Sequence, residues 1–352
     1  MIYLGFDIGG TKIRGYRVIP SYRKGRLVSA VLGDNVFSEP ELKTRNYHNP
    51  EELSKLIYQA VKRFGSPKKV VVSGAIAGVI NEETLDAVCA NVHFPMTFLG
   101  DLRDKGYQSF AFNDLFANGT ALSRLSSGKD YSVVAVQNIG SGNNIACARN
   151  GIVFTKGTEA GHQAYIDSGV FCGCGGSGHL ETYASGNGAA LLALTYFKTQ
   201  PDDRSHPILE EALKEWNLEN RKRASIEKLQ DDDFWRKIVF SIQGRHVMAA
   251  YSKFPDENPQ KDIRRKQRDG IVYQLGQITG LYQPELIIMR GSFVTENWTN
   301  LGKPAVQRFF RDYSRFVHPA IPQPKIVRKR LKKDGVIGAV LCAIDQIRQE
   351  NL

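Results

Sequence analysis

Long apolar runs and cysteines are scarce in this sequence. No stretch of the 352 residues approaches the roughly 18 consecutive apolar residues of a membrane helix. The first ten residues, MIYLGFDIGG, carry no basic segment, and their apolar run stops at Asp7, which argues against a signal peptide. Five cysteines are too few for a disulfide framework in a chain of this size. We therefore expect a cytoplasmic protein without a membrane partner.

Acidic residues are also in deficit. Lys and Arg number 47 against 36 Asp and Glu, which gives a net charge of +11. Such a surface favours anionic partners: nucleic acid, a phosphorylated ligand or polyphosphate. Two basic clusters, at 264–268 and 325–333, contribute to the excess, and an ordinary solvated face is the alternative interpretation of each. Neither cluster has the interleaved aromatic residues on which bases stack, so we do not expect a nucleic-acid partner.

The order of apolar segments and glycine turns indicates two α/β domains of similar plan. A first strand ends at Gly9-Gly10-Thr11 and a second strand follows; the same theme recurs where a strand over 131–138 runs into Gly140-Ser141-Gly142. Helical spacing of apolar residues predicts a helix over 50–64 and a final helix from Gly335. The length suits two domains of ordinary size.

Both glycine turns are candidate phosphate sites. In the first, Asp7-x-Gly9-Gly10-Thr11-Lys12, backbone N–H groups can close on a phosphate, and Asp7 can hold Mg²⁺ through water. The second, Gly140-Ser141-Gly142, offers the same donors. Each turn alone also fits a plain tight hairpin. Together they could hold one polyphosphate from both sides.

Asn113-Asp114 stands where a short strand meets an apolar-periodic helix. One interpretation is structural, because Asp is a favoured helix N-cap. The other is catalytic: the Asp114 carboxylate takes the proton of a sugar hydroxyl during phosphoryl transfer, while the Asn113 amide orients the sugar.

One segment carries candidate metal ligands. His162, Cys172, Cys174 and His179 supply two imidazoles and two thiolates, a set that suits a closed, structural Zn²⁺ site. Glu159 and Glu181 bracket these ligands and would direct two carboxylates at one cavity, as a hydroxyl-rich pyranose requires. The alternatives are buried free thiols with unrelated histidines, and surface or capping glutamates.

These motifs resemble the ROK family (repressors, open reading frames and sugar kinases) of the actin-like ATPase superfamily. The resemblance covers nearly the whole chain. It rests on the following segments: Asp7-Ile-Gly-Gly-Thr-Lys12, Gly74-Ala-Ile-Ala-Gly78, Asn113-Asp114, Ile139-Gly-Ser-Gly142, Glu159-x-Gly-His162, Cys172-x-Cys174-Gly-x-x-Gly-His179-Leu-Glu181 and Gly335-Val-Ile-Gly338.

The resemblance implies two ribonuclease-H-like domains around a cleft, at 1–115 with 336–352 and at 116–335, and a homodimer. It implies an ATP-dependent and Mg²⁺-dependent kinase that phosphorylates a hexose or N-acetylhexosamine at O6, with Asp114 as base and a structural Zn²⁺. The residues implied to bind the sugar are Gly78, Asn113, Asp114, Glu159, His162 and Glu181. The nucleotide would lie against the two glycine turns and Gly291, and His162 would also bind zinc.

Three positions depart from the family pattern. His179 replaces the third cysteine of the zinc signature, and Ser141 replaces the usual Thr. Arg290 stands where the family has a run of glycines beside the nucleotide, and it could crowd adenine or recruit extra phosphate. The alternatives are therefore a polyphosphate-dependent hexose kinase and a sugar-sensing regulator without catalysis. Such regulators carry an N-terminal DNA-binding module, for which the first strand at Tyr3 is expected to leave no room.

Overall fold

The computed structural model describes residues 1–9, 12–24, 26–89, 94–125, 128–155, 159–329 and 333–350. Contacts divide the chain into two compact units: Met1–Val136 with Ala146–Thr158 and Leu331–Leu352, and Gln137–Ile145 with Glu159–Arg330. The domain boundaries expected from the sequence stay a prediction. The contact units differ from them chiefly because residues 116–136 and 146–158 belong to unit 1.

Strands and helices alternate along much of the chain. The strands are β1 (Ile2–Ile8), β2 (Lys12–Arg23), β3 (Arg26–Asn35), β4 (Leu42–Lys43), β5 (Val70–Ile76), β6 (Gly78–Ile80), β7 (Ala87–Cys89), β8 (Gln108–Asn113), β9 (Val133–Ile139), β10 (Asn143–Arg149), β11 (Ile152–Val153), β12 (Leu286–Arg290) and β13 (Lys325–Arg328). The helices are α1 (Pro50–Lys62), α2 (Phe98–Asp104), α3 (Asp114–Arg124), α4 (Gly186–Thr199), α5 (Pro207–Asn220), α6 (Asp232–Phe240), α7 (Gly244–Lys253), α8 (Gln260–Tyr282), α9 (Ser292–Glu296), α10 (Lys303–Arg311), α11 (Tyr313–Phe316) and α12 (Asp334–Glu350).

Unit 1 is built on a sheet with the order β3-β2-β1-β5-β8, in which β4 also pairs with β2. β1 runs antiparallel to β2 and parallel to β5, and β5 runs parallel to β8. Ile8 is level with Ile76, and Ile76 is level with Asn113. The carboxyl ends of β1, β5 and β8 therefore lie side by side, which is the edge at which open α/β sheets bind ligands.

The sheet of unit 1 is covered by helices because its central strands are apolar. Every residue of β5 is buried, as expected for a parallel strand with both faces covered. α1 begins at a capping residue, Asn49, whose side chain accepts the N–H of Glu52, and its buried face includes Leu53 and Ile57. These side chains join the same apolar core as Phe6 of β1.

Glycines bring α12 into close contact with its neighbours in unit 1. A Cβ at Gly338 would lie 1.8 Å from the carbonyl oxygen of Ala117 in α3. A Cβ at Gly5 of β1 would lie 2.4 Å from the carbonyl oxygen of Val336. Both positions therefore exclude any larger side chain, and the final helix packs directly against α3 and β1.

Unit 2 holds most of the helices and the larger part of a second sheet. The order of that sheet is β11-β10-β9-β12-β13, and the boundary between the units runs through β9 and β10. Leu286 to Met289 of β12 are fully buried, and β13 pairs with β12 in parallel. The long helix α8 carries glutamines on its buried face, Gln260, Gln267 and Gln274. Among the described residues, no helix is both long enough and apolar enough to cross a membrane.

Candidate functional site

Asn113, not Asp114, caps helix α3. The Asn113 Oδ1 accepts the N–H groups of Leu115 at 3.0 Å and Phe116 at 3.3 Å. The interpretation of Asp114 as the N-cap is therefore wrong. Asp114 is instead the first residue of the helix.

Gly78 lies beside this junction. It pairs with Cys89 across the β6–β7 ribbon, and a Cβ at Gly78 would stand 2.2 Å from the carbonyl oxygen of Val88. Burial, with a smaller contribution from the Asp114 charge, raises the pKa of the Cys89 thiol to about 11. The structure thus brings Gly78, Asn113 and Asp114 together at the carboxyl edge of the sheet in unit 1.

Asp7 belongs to the same edge, since it is level with Ala75 of β5. Its Oδ2 lies 3.7 Å from Nη1 of Arg14, and a Cβ at Gly335 would lie 3.2 Å from its Oδ1. The carboxylate therefore faces the first turn of α12.

Of the first glycine turn, Gly10 and Thr11 lie outside the described residues. Gly9 donates its N–H to the carbonyl of Lys12 at 3.0 Å, which closes the turn. The Lys12 ammonium forms an ion pair with Glu41 at 3.4 Å, so its charge is shared with a carboxylate.

The second glycine turn lies in unit 2 and packs against other glycines. The Gly140 N–H donates to the Gly142 carbonyl at 2.9 Å, and the Gly140 carbonyl accepts the N–H of Gly186, the first residue of α4. Gly291 has a φ of +95°, and a Cβ there would lie 2.3 Å from the carbonyl of Ile139. Only glycine fits at that position, which places Gly291 directly on the turn.

Arg290 precedes Gly291 and is half-buried. Its Nη1 is buried, and within the described ranges it has no hydrogen-bond partner. A buried guanidinium nitrogen without an acceptor is costly, so this position suits an anionic ligand.

The four predicted metal ligands converge. Ligand atoms of His162, Cys172, Cys174 and His179 all lie within 4.8 Å of one another. The Cys174 Sγ is 3.2 Å from the His179 Nδ1, and the Cys172 Sγ is 3.7 Å from the His162 Nδ1. Donors on a tetrahedral zinc ion are separated by about 3.4–3.8 Å, so the donor set and its spacing fit this metal.

Backbone geometry explains the glycines of this segment. The N–H of Cys172 donates to the carbonyl of Gly176, and the N–H of Gly175 donates to the carbonyl of Cys172. These bonds form a tight loop that contains both cysteines. Gly178 has a φ of +67°, and a Cβ there would lie 1.8 Å from the Ile166 carbonyl. The loop therefore accepts no side chain at Gly178.

Glu159 and Glu181 lie near the metal ligands. The Glu159 Oε2 is 3.8 Å from Nε2 of His162, on the side of the ring opposite to Cys172. The pKa of Glu159 is raised above its usual value, chiefly by burial. The charge of His162 lowers it in part, and the Glu181 carboxylate adds a smaller increase. The Glu181 Oε2 accepts the backbone N–H of Asn143 at 3.0 Å, so this glutamate contacts the residue that follows the second glycine turn.

Asn143 is a candidate binding residue that sequence reasoning missed. Its side chain is 3% exposed, and neither its Oδ1 nor its Nδ2 has a hydrogen-bond partner in the part of the chain that the structure describes. It lies between Glu181 and Gly161, because a Cβ at Gly161 would stand 2.2 Å from its carbonyl oxygen. An asparagine that directly follows Gly140-Ser141-Gly142 was the available signal.

Helix α8 forms hydrogen bonds with the segment that carries Glu159, His162 and Glu181. The Gln267 Nε2 donates to the carbonyl of Thr182 at 2.9 Å, next to Glu181 in the chain. Gln277 exchanges hydrogen bonds with Gln163, next to His162. A buried amide thus holds the backbone beside Glu181, and a partly buried pair of amides holds the segment beside His162.

A protein-family model described as the ROK family matches residues 3–346, so the chain belongs to the ROK family. No curated protein matches the chain. Among solved structures, a ROK-family glucokinase from Streptomyces griseus in complex with glucose and AMPPNP is similar with a TM-score of 0.64 and 20% identity, over 98% of this chain and 100% of that one.

Two further solved structures extend the comparison. A ROK-family transcriptional regulator, a homologue of the E. coli MLC protein, has a TM-score of 0.62 at 15% identity, over 98% of this chain and 78% of that one. An inorganic polyphosphate/ATP-glucomannokinase from an Arthrobacter species has a TM-score of 0.51 at 17% identity, over 98% and 99%. The predicted α/β fold class is confirmed, because the chain shares its fold with these ROK-family structures.

Proposed function

We propose that the protein is an ATP-dependent kinase that phosphorylates a hexose or N-acetylhexosamine, with Asp114 as general base. The observation that carries the proposal is the division of roles at the end of β8. Asn113 caps the helix, and Asp114 opens the helix at the carboxyl edge of the sheet, where its charge acts on Cys89, the strand partner of Gly78. Family membership agrees with this chemistry.

In the proposed reaction Asp114 takes the proton of the sugar hydroxyl at O6. The freed oxygen forms a bond to the γ-phosphorus, and the bond from that phosphorus to the bridging oxygen breaks, so that ADP leaves. The carboxylate positions the hydroxyl for in-line attack as well as accepting its proton.

The sugar would be held by residues of Asn113-Asp114 and of the segment from Glu159 to Glu181. Glu159, His162 and Glu181 supply acceptors and an imidazole, and Gly78 would approach the ring with its backbone alone. The Asn113 Nδ2 would donate to a sugar hydroxyl while its Oδ1 caps α3. We add Asn143 to this set, because its buried amide lacks partners among the described residues.

The phosphates would lie against the two glycine turns. Gly9, Gly10, Thr11 and Lys12 form the first, and Gly140, Ser141, Gly142 and Gly291 the second. Asp7 would hold Mg²⁺, which neutralises developing phosphate charge when it is bound. His162, Cys172, Cys174 and His179 would hold Zn²⁺; two thiolates and two imidazoles leave no open position, so the metal orders the segment rather than reacting.

Polyphosphate as the phosphoryl donor is the second candidate. Arg290 supports it, because a buried guanidinium nitrogen without a partner in the described ranges offers a site for additional phosphate. The homodimer and the cytoplasmic location stay proposals.

The test is a coupled assay of the purified protein on a panel of hexoses, hexosamines and N-acetylhexosamines. Each sugar is tried with ATP-Mg²⁺ and separately with polyphosphate-Mg²⁺. Turnover with ATP on one or two sugars supports the proposal and names the substrate. Turnover only with polyphosphate selects the second candidate. Sugar binding without turnover on either donor would instead indicate a sugar-sensing regulator.

A further inference from the structure

One cavity of unit 2 is lined almost entirely by charged side chains. It has a volume of about 620 Å³ and lies along α8 and α10. We call it the arginine cavity. Its lining residues are Arg265, Arg268, Asp269, Pro304, Gln307, Arg308, Arg311, Asp312 and Arg315. None of them belongs to the candidate site described above.

Cation charge exceeds anion charge in this cavity. Five arginines face two aspartates, which leaves a net charge of +3 on the lining. The arginines come from two stretches of chain about 40 residues apart, 265–268 and 308–315, only the first of which is one of the two basic clusters of the sequence. Folding therefore brings arginines that are far apart in the sequence together around one cavity.

The two aspartates orient three of the arginines: Arg268 and Arg308, which we call the inner arginines, and Arg311 at the rim. Arg268 and Arg308 both contact the Asp269 carboxylate, which links α8 to α10. The Asp312 carboxylate accepts two hydrogen bonds from Arg311, at 2.8 and 3.1 Å, and lies 3.6 Å from the Nε of Arg308. Each guanidinium has five N–H donors, so these contacts orient the groups without using all their donors.

The outer rim is accessible. The side chains of Arg265 and Arg311 are 58% and 70% exposed, and Arg315 is exposed as well. Guanidinium groups bind phosphate through paired, charge-assisted hydrogen bonds, and several of them around one concavity match an anion that carries several phosphates.

From this arrangement we propose that the arginine cavity binds a small anion with two or more phosphate groups. The volume is within the range of small-molecule sites. Among the described residues that line the cavity none is aromatic, so this lining offers no stacking surface of the kind found in single-stranded nucleic-acid sites. The same chemistry has two sources, an inorganic polyphosphate and a sugar carrying two phosphates.

The experiment measures binding by isothermal titration calorimetry, with inorganic tripolyphosphate as the probe. The test variant is R265Q/R311Q/R315Q, which removes rim charges and leaves the inner Asp269 contacts intact. The control variant is R23Q/R103Q/R236Q, which removes the same charge from exposed positions elsewhere. Thermal unfolding checks that both variants are folded.

We expect the test variant to lose one class of tripolyphosphate sites, or to bind there at least about tenfold more weakly, because charge-assisted hydrogen bonds are lost. The control variant should match the wild type. Fructose 1,6-bisphosphate in place of tripolyphosphate distinguishes the two sources. Equal isotherms for the test variant and the wild type would overturn the proposal, as would a rim-dependent preference for a short RNA over both probes. Sugar phosphorylation has no part in this readout, so the outcome is independent of the proposed function.

Discussion

At the scale of single residues, the structure separates two side chains that the sequence treats alike. Asn and Asp are both favoured caps, so sequence alone leaves open which member of Asn113-Asp114 caps α3. The structure gives the cap to Asn113, with two hydrogen bonds from the backbone. The convergence of His162, Cys172, Cys174 and His179, in contrast, was predictable, because two thiols and two imidazoles within one glycine-rich segment suggest a shared metal site.

Asn143 and Asn144 allow a direct test of a binding role. The Asn144 Oδ1 accepts the N–H groups of Ile145 and Ala160, whereas the side-chain amide of Asn143 has no partner among the described residues. In N143A the free energy of unfolding should be unchanged or higher, because no hydrogen bond is lost. The KM for the sugar should rise about tenfold, as expected for one lost hydrogen bond.

The matched variant N144A should show the opposite pattern. Its unfolding free energy should fall by about 1–3 kcal/mol, because two partly buried backbone N–H groups lose their acceptor. Urea unfolding and steady-state kinetics give both quantities. A loss of stability in N143A without a change in KM would assign Asn143 a structural role.

At the scale of elements, the sequence predicts long periodic segments and misses short ones. The helix predicted over 50–64 is α1, and the apolar residues after Lys69 form β5. Asn150-Gly151, a residue pair typical of two-residue hairpins, joins β10 to β11 with φ angles of 50° and 77°. The β6–β7 ribbon was missed, because its strands have three residues each and its Val79–Val88 pair is exposed.

β13 was missed for a different reason. Its four residues, Lys325 to Arg328, fall within a basic cluster that was interpreted as a solvated face. The strand pairs with β12 at the edge of its sheet, where terminal charges are tolerated. The charged residues at both ends leave only Ile326 and Val327 as an apolar signal, which is too short to predict a strand.

Two glycines test the close packing of α12. A Cβ at Gly338 would strike the Ala117 carbonyl, while a Cβ at Gly280 of α8 would meet nothing within 4 Å. G338A should lower the free energy of unfolding by about 3 kcal/mol or more through overpacking. G280A should raise it by about 0.5–1 kcal/mol, because alanine favours the helix. Urea unfolding of the two variants measures both; similar changes in the two would contradict this packing.

The contact between α5 and α7 should depend on pH. Hydrogen bonds from Arg245, and further ones from His246, hold the pKa of Glu215 at about 2, below its usual value. Because the folded pKa is lower than the unfolded one, ionised Glu215 stabilises the fold above about pH 4.5, and this contribution is lost as the pH falls towards 2.

E215Q should therefore be less stable than the wild type at pH 7, and the difference should shrink by more than about half at pH 3. Urea unfolding at both pH values measures the difference. The control is E257Q, which changes an exposed glutamate and should have little effect at either pH. A constant difference for E215Q would show that Glu215 acts through packing rather than charge.

At the scale of the whole molecule, membership of the ROK family and the fold account for most of the sequence motifs. The residues of the predicted sugar-binding site do not account for the net charge of +11. The lining of the arginine cavity contributes part of it. That cavity could not be predicted, because it depends on how α8 and α10 pack, which local periodicity does not specify. Asp269, which links the two helices, directly follows the basic cluster at 264–268.

The central claim, that Asp114 is the base of a sugar kinase, is tested most directly by comparing D114N with the wild type in two measurements. These are the kcat for sugar phosphorylation with ATP-Mg²⁺ and the Kd for the same sugar. D104N, at an exposed position of α2, is the control. We predict that D114N lowers kcat at least about 100-fold while sugar binding is retained, because only the proton acceptor is removed. Turnover by D114N close to that of D104N would contradict the account.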